Sequence, residues 1–170
     1  MNLSEKQLKT RIRRLLIFLI TGLVLSGLTA FPIESELAFI ASPYPSTGLQ
    51  HWINTVYQAV KITNARYPYL SYGTDWLAFA HIVIAIAFIG PLRDPVRNIW
   101  VLQFGMIACG LIFPFAFIAG PVRHIPLGWS LIDCSFGIVG IVPLYLAYQF
   151  TKKLEYIQNE SLTLMNTYHA

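Results

Sequence analysis

Two side chains that can exchange a proton stand inside long apolar runs of this chain. His81 lies within Trp76 to Leu92, and Asp133 within Ile125 to Phe150. An imidazole donates and accepts hydrogen bonds near neutral pH, and a carboxylate accepts them from a polar ligand or takes the proton itself. Both groups are costly in an apolar medium. An Asp at the centre of a membrane helix costs roughly 2.5 to 3.5 kcal/mol, while each Leu, Ile, Val or Phe returns roughly 0.3 to 0.6 kcal/mol. Leu127, Leu131, Ile132, Phe136, Ile138, Val139, Ile141, Val142, Leu144 and Leu146 together outweigh Asp133. The run inserts, and its carboxyl needs a polar neighbour.

At the helical rise, Asp133 sits roughly 9 Å in from Leu127, and His81 roughly 7 to 8 Å in from Trp76. If both runs enter the membrane from the outer side, the two groups share a depth in its outer third. A His81–Asp133 pair there could hold a proton, orient a neutral imidazole, or bind the polar head of an apolar ligand. Small residues beside each group, Ala78 and Ala85 near His81 and Gly137 and Gly140 near Asp133, mark faces that pack against other helices. Trp129 and Ser130 lie a turn before Asp133. Arg123 and His124 fall in the short link just ahead of the run, where either could reach down to the carboxyl. The candidate ligand-binding set is therefore His81, Asp133, Trp129, Arg123, His124 and Ser130. A plainer role is open to the same pair, which could do no more than hydrogen-bond within the bundle and hold it together.

No residue is assigned a catalytic role. The sequence has no H-E-x-x-H, P-loop or dinucleotide-binding glycine pattern and no nucleophilic triad order. A bis-histidine haem would need a second His at the depth of His81, and no facing run supplies one. Cys109 and Cys134 make no C-x-x-C pair and read as buried structural thiols. Neither a metal nor a cofactor is expected.

The elements that must position these groups are helices in lipid. Four apolar runs, at about 15–33, 76–92, 96–119 and 127–149, are long enough to cross a bilayer. The link between the second and third is so short that they form an antiparallel hairpin. Gly90–Pro91 should end the second, with Asp94 as N-cap and Pro95 as first residue of the third. Pro114 should bend the third and Gly120–Pro121 stop it. Between the first two runs, Leu49, Trp52, Ile53, Val56, Tyr57 and Val60 recur with helical period, and Thr47 with Gln50 has capping-box spacing. This predicts an amphipathic helix over about 48–66, lying along the membrane surface. Residues 151–170 form a polar tail with a short helical extension. The fold class expected is an all-α four-helix transmembrane bundle with one interfacial helix in its outer loop, and residues 1–170 form a single membrane domain.

Composition agrees. The chain of 170 residues is 55% hydrophobic and 12% charged, about half the charge of an ordinary soluble domain. The net charge of +4 comes with no basic stripe interleaved with exposed aromatics, so no nucleic-acid partner is expected. Its placement is informative instead. Lys6, Lys9, Arg11, Arg13, Arg14, Arg93, Arg97, Lys152 and Lys153 fall on one side of four spans, against Lys61, Arg66 and Arg123 on the other. The positive-inside rule then puts both termini in the cytoplasm and the protein in the cell membrane. The first run is longer than a signal-peptide core and reads as retained. The expectation from sequence is a multi-pass membrane protein that binds or processes a lipid-like, apolar small molecule in an outer-leaflet pocket. That pocket would be lined by Trp76, Phe115, Trp129 and Phe136, with His81 and Asp133 as its polar floor. The alternative is a structural or accessory subunit, with a membrane-protein partner or a second copy of itself.

Overall fold

The structure is a computed structural model that describes the backbone of residues 4–168 and the side chains of residues 4–164. Among the described residues every regular element is a helix: α1 (Glu5–Ala30), α2 (Ile33–Ile40), α3 (Gly48–Arg66), α4 (Pro68–Ala87), α5 (Ile89–Arg93), α6 (Ile99–Val122) and α7 (Leu127–Tyr168). Four helical stretches are long and apolar enough to cross a membrane: Glu5–Ala30, Pro68–Arg93, Ile99–Val122 and Leu127–Leu164. The chain divides into two compact units, one of residues 1–20 and 86–170, the other of residues 21–85.

The first unit is built on an antiparallel hairpin of α6 and α7. The pairing is read from its glycines. A Cβ on Gly105 would meet Leu144, one on Gly137 would meet the Cys109 carbonyl, and one on Gly120 would meet the Ser130 hydroxyl. Between apolar helices in lipid there is no hydrophobic drive to associate, so close backbone approach through small residues supplies the packing. Gly105, Gly137 and Gly120 are accordingly buried, and Phe88 and Leu144 close over Gly105.

The turn of this hairpin has a definite construction. His124 adopts φ 55°, the left-handed region that glycine usually fills at a helix end. The Ile125 N–H donates to the Gly120 carbonyl at 2.9 Å and the His124 N–H to the Pro121 carbonyl at 3.2 Å. These two bonds are the Schellman pattern, and they satisfy carbonyls that the end of α6 leaves open. The helix continues through Pro114, where a bend is expected, and ends at Val122, just past the Gly120–Pro121 pair expected to stop it.

The start of α6 also differs from expectation. It begins at Ile99 with Asn98 at its cap, not at Pro95. Asp94 does cap, its Oδ1 accepting from the Arg97 N–H at 3.0 Å, but what it caps is a separate turn. The Asn98 side chain donates to the carbonyls of Gly90 and Asp94, and this clamp delays the helix. Gly90 and Pro91 lie within the short helix α5 instead of ending a span. At the other end, α7 does not stop near 149. It runs unbroken through Pro143 to Tyr168.

The beginning of α1 packs antiparallel on this extension of α7. Gln158 donates to Glu5 Oε1 at 3.1 Å, and the Arg11 guanidinium lies 5.7 Å over the Phe150 ring. Leu8, Ile12 and Leu16 on one stripe of α1 are 0 to 1% exposed, as are Ala147, Thr151 and Leu154 on α7. Burying apolar stripes at i, i+4 and i+7 or i+8 holds the two helices together.

In the second unit, the latter part of α1 meets α4 at Gly27. A Cβ there would stand 2.8 Å from the Ala78 carbonyl, 3.0 Å from Ile82 and 3.3 Å from the Cβ of His81. The helix α3 spans the predicted residues, and the Thr47 side chain accepts from the Gln50 N–H at 3.3 Å. The reciprocal half of the capping box is displaced by one residue. Gln50 Oε1 takes the Ser46 N–H at 2.7 Å and the Ser46 hydroxyl at 3.0 Å. The short helix α2, unforeseen from sequence, packs on α3 and buries Leu37.

Candidate functional site

The first turns of α7 carry Trp129, Ser130 and Asp133, and the turn before them carries Arg123 and His124. All five belong to the first unit. Ser130 is fixed most firmly. It is 3% exposed, and its hydroxyl lies where a side chain at position 120 would otherwise be. Trp129 is half-buried, and Arg123 and His124 are exposed. His124 is displayed by its left-handed backbone, a conformation that costs a non-glycine residue roughly 1 to 2 kcal/mol. Such outliers concentrate where function keeps them.

Asp133 is half-buried in a span whose neighbouring positions are Leu131, Ile132 and Phe136, with 54%, 41% and 66% of their surfaces open. Among the described residues its carboxyl makes no hydrogen bond and no ion pair, and neither Arg123 nor His124 bonds to it. The hydroxyl of nearby Ser135 donates back to the Ile132 carbonyl at 2.6 Å. A carboxylate can accept several hydrogen bonds, and in an apolar span an unmet carboxyl is expensive. Chemically, this end of the hairpin offers one acceptor inside the apolar layer, a buried hydroxyl a turn away, and a guanidinium and an imidazole at its rim.

His81 belongs to the second unit. Its ring is half-buried on α4, and Nδ1 lies 2.8 Å from the Leu77 carbonyl one turn back. A carbonyl can only accept, so Nδ1 is the donor in this bond. The imidazole is thus anchored to its own helix, with its Cβ against the Gly27 contact. The aromatic groups near it form a file along α4: Tyr72, Trp76 and Phe79 meet edge to face at 6.0 and 5.8 Å.

Of the aromatic residues expected to line a pocket, Phe115, Phe136 and Trp76 are 72%, 66% and 56% exposed, so they offer contact surface toward the surroundings. No group of three His, Cys, Asp or Glu side chains among the described residues could hold a metal ion. Cys134 is buried, and the Cys109 sulfur faces Gly140 across the α6–α7 hairpin.

Sequence reading missed a polar network in the second unit. Asn64 donates to Glu34 Oε2 at 2.6 Å, and its own carbonyl oxygen accepts from the Ser71 hydroxyl. Asn54 closes a second clamp, donating to the Ser42 carbonyl at 2.6 Å and accepting from the Ser42 N–H at 3.1 Å. The Ser42 partner lies twelve positions before Asn54, beyond the reach of any periodicity. No family model, no curated protein and no solved structure matches this chain.

Proposed function

We propose that this is a multi-pass protein of the cell membrane, with both termini in the cytoplasm and α3 lying along the outer surface. Its outer side binds a lipid-like, apolar small molecule through a polar head held at Asp133. The observation that carries this reading is the Asp133 carboxyl, half-buried in an apolar span and without a hydrogen-bond partner among the described residues. Mid-membrane ionisable groups are kept where they meet a polar group, and here that group comes from outside the unit. Ser130 stands one turn away as a second polar contact, Trp129 as an apolar wall, and Arg123 and His124 as rim groups for an anionic or hydroxylated head. Four helices of spanning length support the membrane placement, and the asymmetry of Lys and Arg supports the orientation.

The same carboxyl would equally be met by a polar side chain on a partner helix, and the open Leu131, Ile132 and Phe136 around it would suit such a neighbour. That is the structural-subunit reading, and one experiment separates the two. Native mass spectrometry of gently extracted protein should show the wild type retaining a small molecule that Asp133→Asn binds roughly 10- to 150-fold more weakly. This is the factor expected for removing a hydrogen bond to a charged group worth about 1.5 to 3 kcal/mol. Circular dichroism should show unchanged helicity. Unaltered retention in the variant would refute the binding site. Loss of a co-purifying protein in its place would establish the subunit reading.

A further inference from the structure

Beyond its apolar run, α1 carries Lys6, Lys9, Arg11, Arg13 and Arg14 in little more than two turns. The fold sorts these residues. Leu8, Ile12 and Leu16 are buried, and the Arg11 guanidinium is engaged with Phe150 of α7. Lys9 is paired with Glu5 at 2.7 Å. Lys6, Arg13 and Arg14 are exposed and make no ion pair among the described residues. The Thr10 hydroxyl between them is spent on the Lys6 carbonyl. Two shallow grooves run along this face. One is lined by Glu5, Lys6, Lys9, Thr10 and Arg13, and the other by Ser4, Lys6, Gln7, Thr10, Arg11 and Arg14. Packing on α7 keeps the segment helical, so its charges stand at fixed heights instead of on a loose tail.

Those heights decide which anion the face meets. Counting from Leu15, where the apolar run begins, Arg14 and Arg13 lie roughly 1.5 and 3 Å along the axis, Lys9 roughly 9 Å and Lys6 roughly 13 Å. A headgroup layer is about 5 to 7 Å thick on each side of the hydrocarbon, and attraction to an anionic surface fades within a Debye length of about 8 Å. Arg13 and Arg14 therefore sit among the phosphates, and Lys9 and Lys6 above them. We propose that the exposed basic face of α1 binds the headgroups of anionic phospholipids in the leaflet where its apolar run begins, with Arg13 and Arg14 as the main phosphate contacts. This rests on the reading of α1 as a membrane span and is independent of the Asp133 site.

The test uses the full-length protein in mild detergent at low salt, with phosphatidylglycerol and phosphatidylcholine of equal chain length offered together. Native mass spectrometry reads the lipid retained. The wild type should prefer phosphatidylglycerol, and added salt should erase the preference. A basic residue near an anionic surface contributes about five-fold, so Arg13→Gln/Arg14→Gln should lower the preference roughly 25-fold. Lys6→Gln/Lys9→Gln should lower it much less, because those positions stand above the phosphates. None of these four side chains lies on the stripe that packs against α7, so helicity should be unchanged. Asp133→Asn should leave the preference intact, which separates this proposal from the outer-side site. Equal retention of the two lipids would overturn it. So would a larger loss in the Lys6/Lys9 variant, the order expected of an acidic protein docking at the helix tip. Displacement of phosphatidylglycerol by an equal concentration of inorganic phosphate would assign the face to free phosphate and would equally overturn it.

Discussion

The hairpin of α6 and α7 makes a prediction that turns on a single residue, Cys109. A Cβ on Gly140 would stand 2.8 Å from the Cys109 sulfur, and a Cβ on Gly137 would stand 2.9 Å from the Cys109 carbonyl oxygen. Ordinary van der Waals contacts for such a carbon begin at about 3.4 Å, so each alanine forces a displacement of about half an ångström or more. Overpacking of this kind costs about 1 to 3 kcal/mol. Exchanging a mid-helix glycine for alanine returns about 0.5 to 1 kcal/mol of backbone entropy. The overlap wins in both cases, and Gly140→Ala and Gly137→Ala should each destabilise by about 0.5 to 2 kcal/mol. The two differ in remedy. Cys109→Ala removes the sulfur that blocks Gly140, and the new methyl fills the space it leaves. The double variant Gly140→Ala/Cys109→Ala should be more stable than the sum of its parts by about 1 kcal/mol or more, the coupling expected of residues in contact. No side-chain change at 109 removes its carbonyl, so Cys109→Ala should leave the cost of Gly137→Ala as it is. Reversible unfolding in mixed micelles, titrated with a denaturing detergent, measures the free energies of the wild type and of these single and double variants. Additivity at Gly140, or rescue at Gly137, would show that the helices do not approach through these glycines in this register.

Two further outcomes follow from side chains that the structure ties down. Asn64→Ala breaks the link between Glu34 and Ser71 and should cost about 1 to 3 kcal/mol, the penalty for leaving partly buried polar groups unmet. Hydrogen exchange should localise the loss to residues 33–72, and protection unchanged there would remove the network from the account of the second unit. His124→Gly relieves a left-handed backbone and should stabilise the α6–α7 turn by up to about 1 kcal/mol, whereas His124→Val should destabilise it. A more stable valine variant would rule out the turn geometry.

What the sequence disclosed, and what it hid, follows from the range of each physical signal. Length and hydropathy are summed over about twenty residues, and all four spanning helices were legible from them. Helical period with a cap is nearly as robust, and α3 begins where Thr47 announces it. Gly120–Pro121 marked the end of α6, which closes at Val122. Pro114, read as a bend and not a stop, lies inside α6, and Pro143 lies inside α7, because in an apolar span the alternative to helix is unbonded backbone, which costs more than one missing hydrogen bond. Asp94 caps a turn and not α6, which starts four residues later than Pro95 would place it. The deciding bonds come from Asn98, whose carbonyl partners at Gly90 and Asp94 lie on the preceding turn. At the candidate site, the residue types were legible but their surroundings were not. The sequence marks Asp133 as a costly carboxyl. That Ser130 would be locked against Gly120, and that His81 would bond its own helix through Nδ1, depends on register and rotamer, which no periodicity encodes.

The length of α7 carries the last step. About twenty helical residues cross a hydrocarbon core of about 30 Å, and α7 has 42 residues. Roughly half of it must therefore stand outside the membrane. Ala147, Thr151 and Leu154 lie buried on α7, as Leu8, Ile12 and Leu16 do on α1, and Gln158 ties it to Glu5. The segment read from sequence as a polar tail with a short helical extension is helical through Tyr168, and Gln158 and Phe150 on α7 engage Glu5 and Arg11 at the start of α1. Thr151 shows how closely that contact is made. It is fully buried, and its hydroxyl donates to the Ala147 carbonyl at 2.8 Å, so its one polar group is satisfied within the helix and the stripe toward α1 stays apolar.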